Sequence, residues 1–262
     1  MNPLNVKSSY YEVMRHYLVI DGKSTKDFGV YLSGDGTFKA PEKNVEEFTI
    51  PGRNGTFHYS VPDTYKNVKV PYDCFIFKDF KRNVAAFRSF LLSRKGYVRI
   101  EDTHHPDEFR MGMFHEEFDP EVFVDLTAAQ FTINFDCRPE RWLKSGEETI
   151  TYTENGEIYN PTDFVAKPIL RIYGEVGVNC GINIEPKTGS RTEIAVIIPS
   201  EGYVDVDTES MEVYAGNVSY NANLSYHGTN TKREFPVISP GLNGVRFSHG
   251  TKLELVPRWW IL

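Results

Sequence analysis

Four groups of residues carry types and spacings that could do chemistry. Asp102, His104, His105, Asp107 and His115 are the one place where metal-ligand types gather. A bound ion needs three or four such groups converging on a point. Neighbours on a strand face opposite ways, so His104 and His105 meet at one ion only across a sharp bend. A polar turn shaped by Pro106-Asp107 is the stronger reading. Gly22-Lys23-Ser24-Thr25 ends like a phosphate-binding loop, but Tyr17 stands where that loop needs its first glycine. The run also sits in an expected hairpin, not between a strand and a helix. Asp205, Asp207 and Glu209 share one face of an extended strand, as at the start of a calcium loop. Ser210 replaces the glycine such a loop requires, which leaves a solvated sheet face. The pairs Glu46-Glu47, Glu116-Glu117 and Glu147-Glu148 are sequence neighbours, whereas glycosidase carboxyls stand on separate elements about 5–10 Å apart.

No G-x-S-x-G, H-E-x-x-H or paired C-x-x-C occurs, so the local signatures of hydrolases and zinc sites are missing. The sequence argues against an enzyme and calls for no cofactor and no resident metal. Tyr203, Tyr214, Tyr220, Tyr226, Trp259 and Trp260 could stack on sugars, but aromatics of this density are expected mainly in a core. Six cations between residues 78 and 95 read as the solvated face of a helix.

The elements that must position these residues are mostly strands. Among 262 residues are 18 Phe, 15 Tyr, 20 Gly and 15 Pro, a composition for short strands and tight turns. Hydrophobic residues at 40% and charged residues at 25% suit a packed core rather than disorder. No apolar run reaches the length of a spanning helix, and the first residues lack a signal peptide's apolar centre. Membrane spanning and classical secretion are therefore not expected. The formal charge of −7 gives no global basic field for nucleic acid. Cys74, Cys137 and Cys180 are odd in number and far apart, which suits a reducing compartment better than a disulfide scaffold.

The charge balance shifts along the chain. Through Lys144 there are 20 Lys/Arg against 21 Asp/Glu; from Ser145 onward, 9 against 15. The shift falls at Ser145-Gly146-Glu147-Glu148, which reads as a linker, so two domains are expected, 1–145 and 146–262. In the first, Tyr17-Leu18-Val19-Ile20 leads into the turn pair Asp21-Gly22, with Phe28-Gly29-Val30-Tyr31-Leu32 as the return strand. Glu47-Phe48-Thr49-Ile50 and Thr56-Phe57-His58-Tyr59-Ser60-Val61 flank the double turn signal Pro51-Gly52-Arg53-Asn54-Gly55, and the second run alternates like a half-buried strand. Phe80, Val84, Phe87 and Leu91 mark one face of a helix, with Asp79 as its cap and Gly96 as its stop. Strands at residues 97–100, 109–114 and 131–135 complete an α+β unit. The second domain shows short strands near 169–173, 181–184, 194–198, 203–206, 211–214 and 253–256, separated by turns such as Lys187-Thr188-Gly189 and Asn243-Gly244. That spacing predicts a β-sandwich.

The order of these features resembles the distal tail protein (Dit) family of long-tailed, non-contractile phages and prophages. The resemblance rests on Asp21-Gly22 followed by Phe28-Gly29-Val30, on Ile50-Pro51-Gly52-Arg53-Asn54-Gly55, and on the helix with Ile100-Glu101-Asp102 and Pro106 after it. It continues through Phe135-Asp136-Cys137-Arg138-Pro139-Glu140-Arg141-Trp142, Pro168-Ile169-Leu170-Arg171-Ile172-Tyr173-Gly174, Val204-Asp205-Val206-Asp207 and the stretch from Phe235-Pro236 to Asn243. It implies an N-terminal domain closing into a hexameric ring and a galectin-like sandwich outside it. The implied partners are further copies of the chain, the tail tube, and the tail-associated lysin or fibre protein, with DNA only in transit through the lumen. The implied location is the virion tail tip, after assembly in the bacterial cytoplasm. Pro51, Gly52, Arg53, Asn54 and Gly55 are the candidate ring-interface residues. A host-surface carbohydrate-binding adhesin, acting through the second domain, is the alternative function.

Overall fold

In the computed structural model, which describes residues 14–34, 36–77, 79–123, 127–186, 192–227 and 233–262, the chain is mostly β. It divides into two compact units, the first ending at Arg141 and the second spanning Trp142–Ile261. The expected turn at Lys187-Thr188-Gly189 lies outside the described residues.

The first unit comprises β1 (Leu18–Ile20), β2 (Lys23–Ser24), β3 (Val30–Leu32), β4 (Lys43–Thr49), β5 (Thr56–Tyr65), β6 (Val68–Phe77), the helix α1 (Phe80–Leu92), β7 (Val98–Asp102), β8 (Glu108–Met113), β9 (Glu121–Val122) and β10 (Ala128–Leu143). Its main sheet runs β2-β1-β7-β8-β10-β6-β3, with β9 also on β10, while β4 and β5 pair only with each other. Asp21 and Gly22 both take positive φ, 51° and 76°, as a two-residue hairpin turn of this hand requires. The returning strand is β2, not the expected Phe28–Leu32 run, because a 3-10 turn at Thr25–Phe28 intervenes. Ser24 caps that turn, and the Thr25 hydroxyl donates to Val30 O at 3.0 Å while accepting from Leu18 N at 3.2 Å. The chain is thereby carried across the sheet, where β3 pairs with β6.

One face of this sheet is dry. Val70, Ile76, Ile133 and Phe135 are fully buried, and α1 lays Phe87, Phe90 and Leu91 over them with Phe80 and Val84 at the margin. Phe28, Phe87, Phe118 and Phe131 meet at ring separations of 4.9–6.0 Å, in the tilted and edge-on arrangements that the ring quadrupole favours. The ends of α1 differ from expectation. Asp79 sits at φ 46° and its side chain caps nothing; the helix stops at Leu92, with Ser93 as its cap, so Gly96 (φ 66°) belongs to the following turn.

The second unit contains β11 (Ile150–Tyr152), β12 (Gly156–Asn160), β13 (Ile169–Gly174), β14 (Asn179–Pro186), β15 (Thr192–Ile197), β16 (Tyr203–Asp207), β17 (Glu212–Ala215), β18 (Val218–Ser219), β19 (Leu224–His227), β20 (Gly241–Ser248) and β21 (Gly250–Val256). They form two sheets, β11-β21-β13-β16-β17-β18 and β12-β20-β14-β15-β19. Leu170, Ile172, Val204, Val206 and Leu253 of the first share one core with Ile182, Ile184, Ile194, Val196 and Val245 of the second. That is a β-sandwich. The stretch read as a linker is instead built into this unit. Gly146 is buried in a 3-10 turn, and a Cβ there would lie 2.3 Å from Trp259 N. Leu143 N donates to Trp259 O, and Arg258 N to Gly146 O.

Candidate assembly surface

The hairpin of β4 and β5 stands apart from both the main sheet and its core. Register partners in an antiparallel pair point the same way. Glu46↔Tyr59 and Phe48↔Phe57 therefore share one face, and Val45↔Ser60, Glu47↔His58 and Thr49↔Thr56 the other. The second face is largely polar and carries the Glu47–His58 pair at 3.5 Å. The first is aromatic and uncovered: Phe48, Phe57 and Tyr59 are 49%, 55% and 51% exposed. An isolated two-stranded hairpin is marginal in water, and apolar alternation with neither face packed is the pattern of a surface made for a partner.

At its tip, Arg53 N donates to Ile50 O at 3.1 Å. Pro51 at the second turn position and Gly52 at φ 81° give the type II signature. Gly55 reverses the chain again at φ 87°. Pro51, Gly52, Arg53, Asn54 and Gly55 are thus brought together as one exposed loop joining the exposed β4 to the exposed first half of β5, residues 56–60. The sequence reading of Thr56–Val61 as half-buried is corrected at Thr56–Ser60, all of which are exposed. The alternation was legible; the missing cover was not.

The other candidates are occupied with structural work. The Asp102 carboxylate accepts from the amides of His104 and His105 at 2.9 Å each and contacts His105 Nδ1 at 3.0 Å. His104 turns the other way and stacks on His16 with ring centroids 3.9 Å apart. Among the described residues no three His, Cys, Asp or Glu side chains converge to hold a metal ion. Asp205 is not on a solvated face: it is 4% exposed and grips Arg171 through both oxygens at 2.6 and 2.9 Å. Asp207 pairs with Arg258 in the same two-point manner, 2.8 Å each. Burial alone would raise its carboxyl, but the Arg258 bonds and charge outweigh that and hold it below the ordinary range. Glu209 lies beyond the strand, near Lys167. Of the aromatics weighed for sugar stacking, Trp259 is core, Tyr220 and Tyr226 pack on it, and Trp260 stacks on Phe164 at 4.3 Å. All three cysteines are free and buried. Burial pushes the Cys137 thiol up to about 12 and that of Cys74 higher still. No described helix is long and apolar enough to cross a membrane.

Among solved structures, the Dit protein of SPP1, a paradigm of the hub adsorption apparatus in phages infecting Gram-positive hosts, superposes with a TM-score of 0.68. That match covers 94% of this chain and 99% of that one at 15% identity. The chain has the fold of a phage distal tail protein. The same fold matches the phage P2 baseplate in its activated conformation, with Ca at TM-score 0.56 and with Sr at 0.53. Identity is 12% in both, over 94% and 92% of this chain and 98% and 96% of those. Neither a family model nor a curated protein matches the sequence.

Proposed function

We propose that this protein is a structural hub of a phage-like tail, six copies closing into a ring that joins the tail tube to the tail-tip lysin or fibre protein. The observation that carries this is the β4–β5 hairpin. Its aromatic face has no cover among the described residues, and the distal tail fold supplies the context in which a neighbour would. A closed ring needs head-to-tail contacts between two unlike surfaces on each copy. The hairpin, with residues 51–55 at its tip, is one of them. The near-neutral first unit suits opposite charges meeting across that junction. The work is mechanical coupling, without bond-making, performed in the virion after assembly in the host cell. DNA passes the bore without being held.

Native mass of the purified chain tests the ring: the expected particle is about six times 30.0 kDa. In the parent particle, removing this polypeptide leaves shafts without a finished end under the electron microscope. Complete infective virions in its absence overturn the proposal. The second reading, a host-surface carbohydrate-binding adhesin, is favoured by one feature of the sandwich, a buried amide without partners.

A further inference from the structure

Among the described residues of the second unit three asparagines are buried, and two are fully bonded. Asn160 donates to Phe164 O and Ile238 O at 2.8 and 3.1 Å and accepts from Thr162; Asn243 donates to Ser239 O and Gly241 O and accepts from Ser239 N. Asn183 is 3% exposed, yet neither its amide nitrogen nor its oxygen has a partner. Buried polar groups are bonded with few exceptions, and each exception calls for a cause.

The surroundings supply one. Ile182 and Ile184 face the core, so Asn183 points to the outer face of the β12-β20-β14-β15-β19 sheet. Strand register places Arg246, Asn183, Glu193 and His227 side by side in one row across four strands. The next row is Ser248, Gly181, Ala195 and Ser225, all small residues beside the polar row. The Ser248 hydroxyl and a Glu193 oxygen lean over Gly181, within 2.7 and 3.8 Å of where a Cβ would stand. Arg246 Nε bonds Glu185 Oε2 at 3.0 Å across this face, with side chains 59% and 32% exposed.

We propose that this row is a binding site for a neutral saccharide with vicinal hydroxyls. An amide with a free donor and a free acceptor is matched by two adjacent hydroxyls, each of which gives and takes a hydrogen bond. The Glu193 carboxylate, the His227 imidazole and the Ser225 and Ser248 hydroxyls extend the same recognition along the two rows. Two carboxylates against one guanidinium disfavour an acidic sugar. The exposed Arg246–Glu185 pair is the latch: it contributes little as a surface ion pair, so a ligand displaces it at small cost and gives Asn183 its missing partners. This site is independent of the ring contact.

The test uses the full chain on immobilised neutral hexose and N-acetylhexosamine oligosaccharides, with sialylated and uronic-acid glycans as the acidic arm, followed by calorimetry on the best neutral glycan. The expected result is retention on neutral glycans only. Asn183→Leu weakens it at least tenfold while raising Tm by a few degrees, because the unbonded amide is gone. Arg246→Ala, a change on the exposed side that folds regardless, tightens binding about threefold. Native mass stays that of the wild type in both variants, which separates loss of the sugar site from loss of the ring. No neutral glycan retained, preference for acidic glycans, or both variants binding like wild type overturns the proposal.

Discussion

Strands β5 and β6 follow one another, are 10 residues each, and meet opposite fates. In β6 every second residue is buried, from Val68 through Val70, Tyr72, Cys74 to Ile76, and β10 lies along its whole length. In β5 the residues from Thr56 to Ser60 are exposed on both faces. Alternation therefore states that a strand has an apolar face, not where that face finds its cover. For β6 the cover is α1 and the phenylalanine cluster within the same unit. For residues 56–60 of β5 the chain provides none among the described residues, and in the proposed ring another copy does.

The sharpest contrast is truncation on the two sides. Phe135→Ala, opposite Val70 in the covered sheet, removes a fully buried ring and lowers unfolding stability by about 3–5 kcal/mol in denaturant titration. The covered face is also sensitive to alkali. An unfolded thiol ionises near about 8.5, whereas burial raises Cys137 to about 12 and Cys74 beyond it. Both groups are raised, so their contribution is full below the unfolded value and is lost as pH rises towards the folded one. The expected decline is about 2 kcal/mol per thiol by pH 10, and Cys137→Ala makes it shallower. Stability that stays flat to pH 10.5 would show that the dry face is open to water.

How much of this was legible follows the same line. The helix face Phe80, Val84, Phe87, Leu91 and the hairpin turn at residues 51–55 are readable because period and turn chemistry are local properties. Strand β6 is not, since Pro71 argues against a central strand; its missing N–H is tolerated because β3 covers only Cys74, Phe75 and Ile76. The partnership of β1 with β2 and of β3 with β6 depends on one capped 3-10 turn, too small to outweigh the neighbouring pattern. Asn183 was invisible for another reason. A polar residue between two isoleucines reads as an ordinary outward position, and only the register of four strands reveals what lies beside it.

Within the hairpin, the turn is the next point of attack. Gly55→Ala puts a side chain at φ 87° with no neighbour within 4 Å, so the whole cost is backbone strain of about 1–2 kcal/mol. It is expected to appear as faster hydrogen exchange in β4 and β5 with β6 and β10 unchanged. Exchange that quickens across the main sheet would mean the two regions unfold together and the contrast between them is false.

The smallest effect on the folded chain is the most telling. Phe57 is 55% exposed, so Phe57→Ala removes little buried surface and changes the unfolding free energy of the dissociated chain by less than about 0.5 kcal/mol. In the proposed ring the Phe57 side chain is an aromatic anchor, where truncation would cost more than about 1 kcal/mol per contact, repeated at every junction. The variant is therefore expected to unfold with the wild-type midpoint yet run at the mass of a monomer at concentrations where the wild type is a ring. Ser60→Ala, on the opposite face of the same strand, leaves that mass unchanged and controls for hairpin damage. If Phe57→Ala lowers the midpoint as Phe135→Ala does, the aromatic face is covered within the chain after all. If the ring survives Phe57→Ala combined with Phe48→Ala, the contact between copies lies elsewhere.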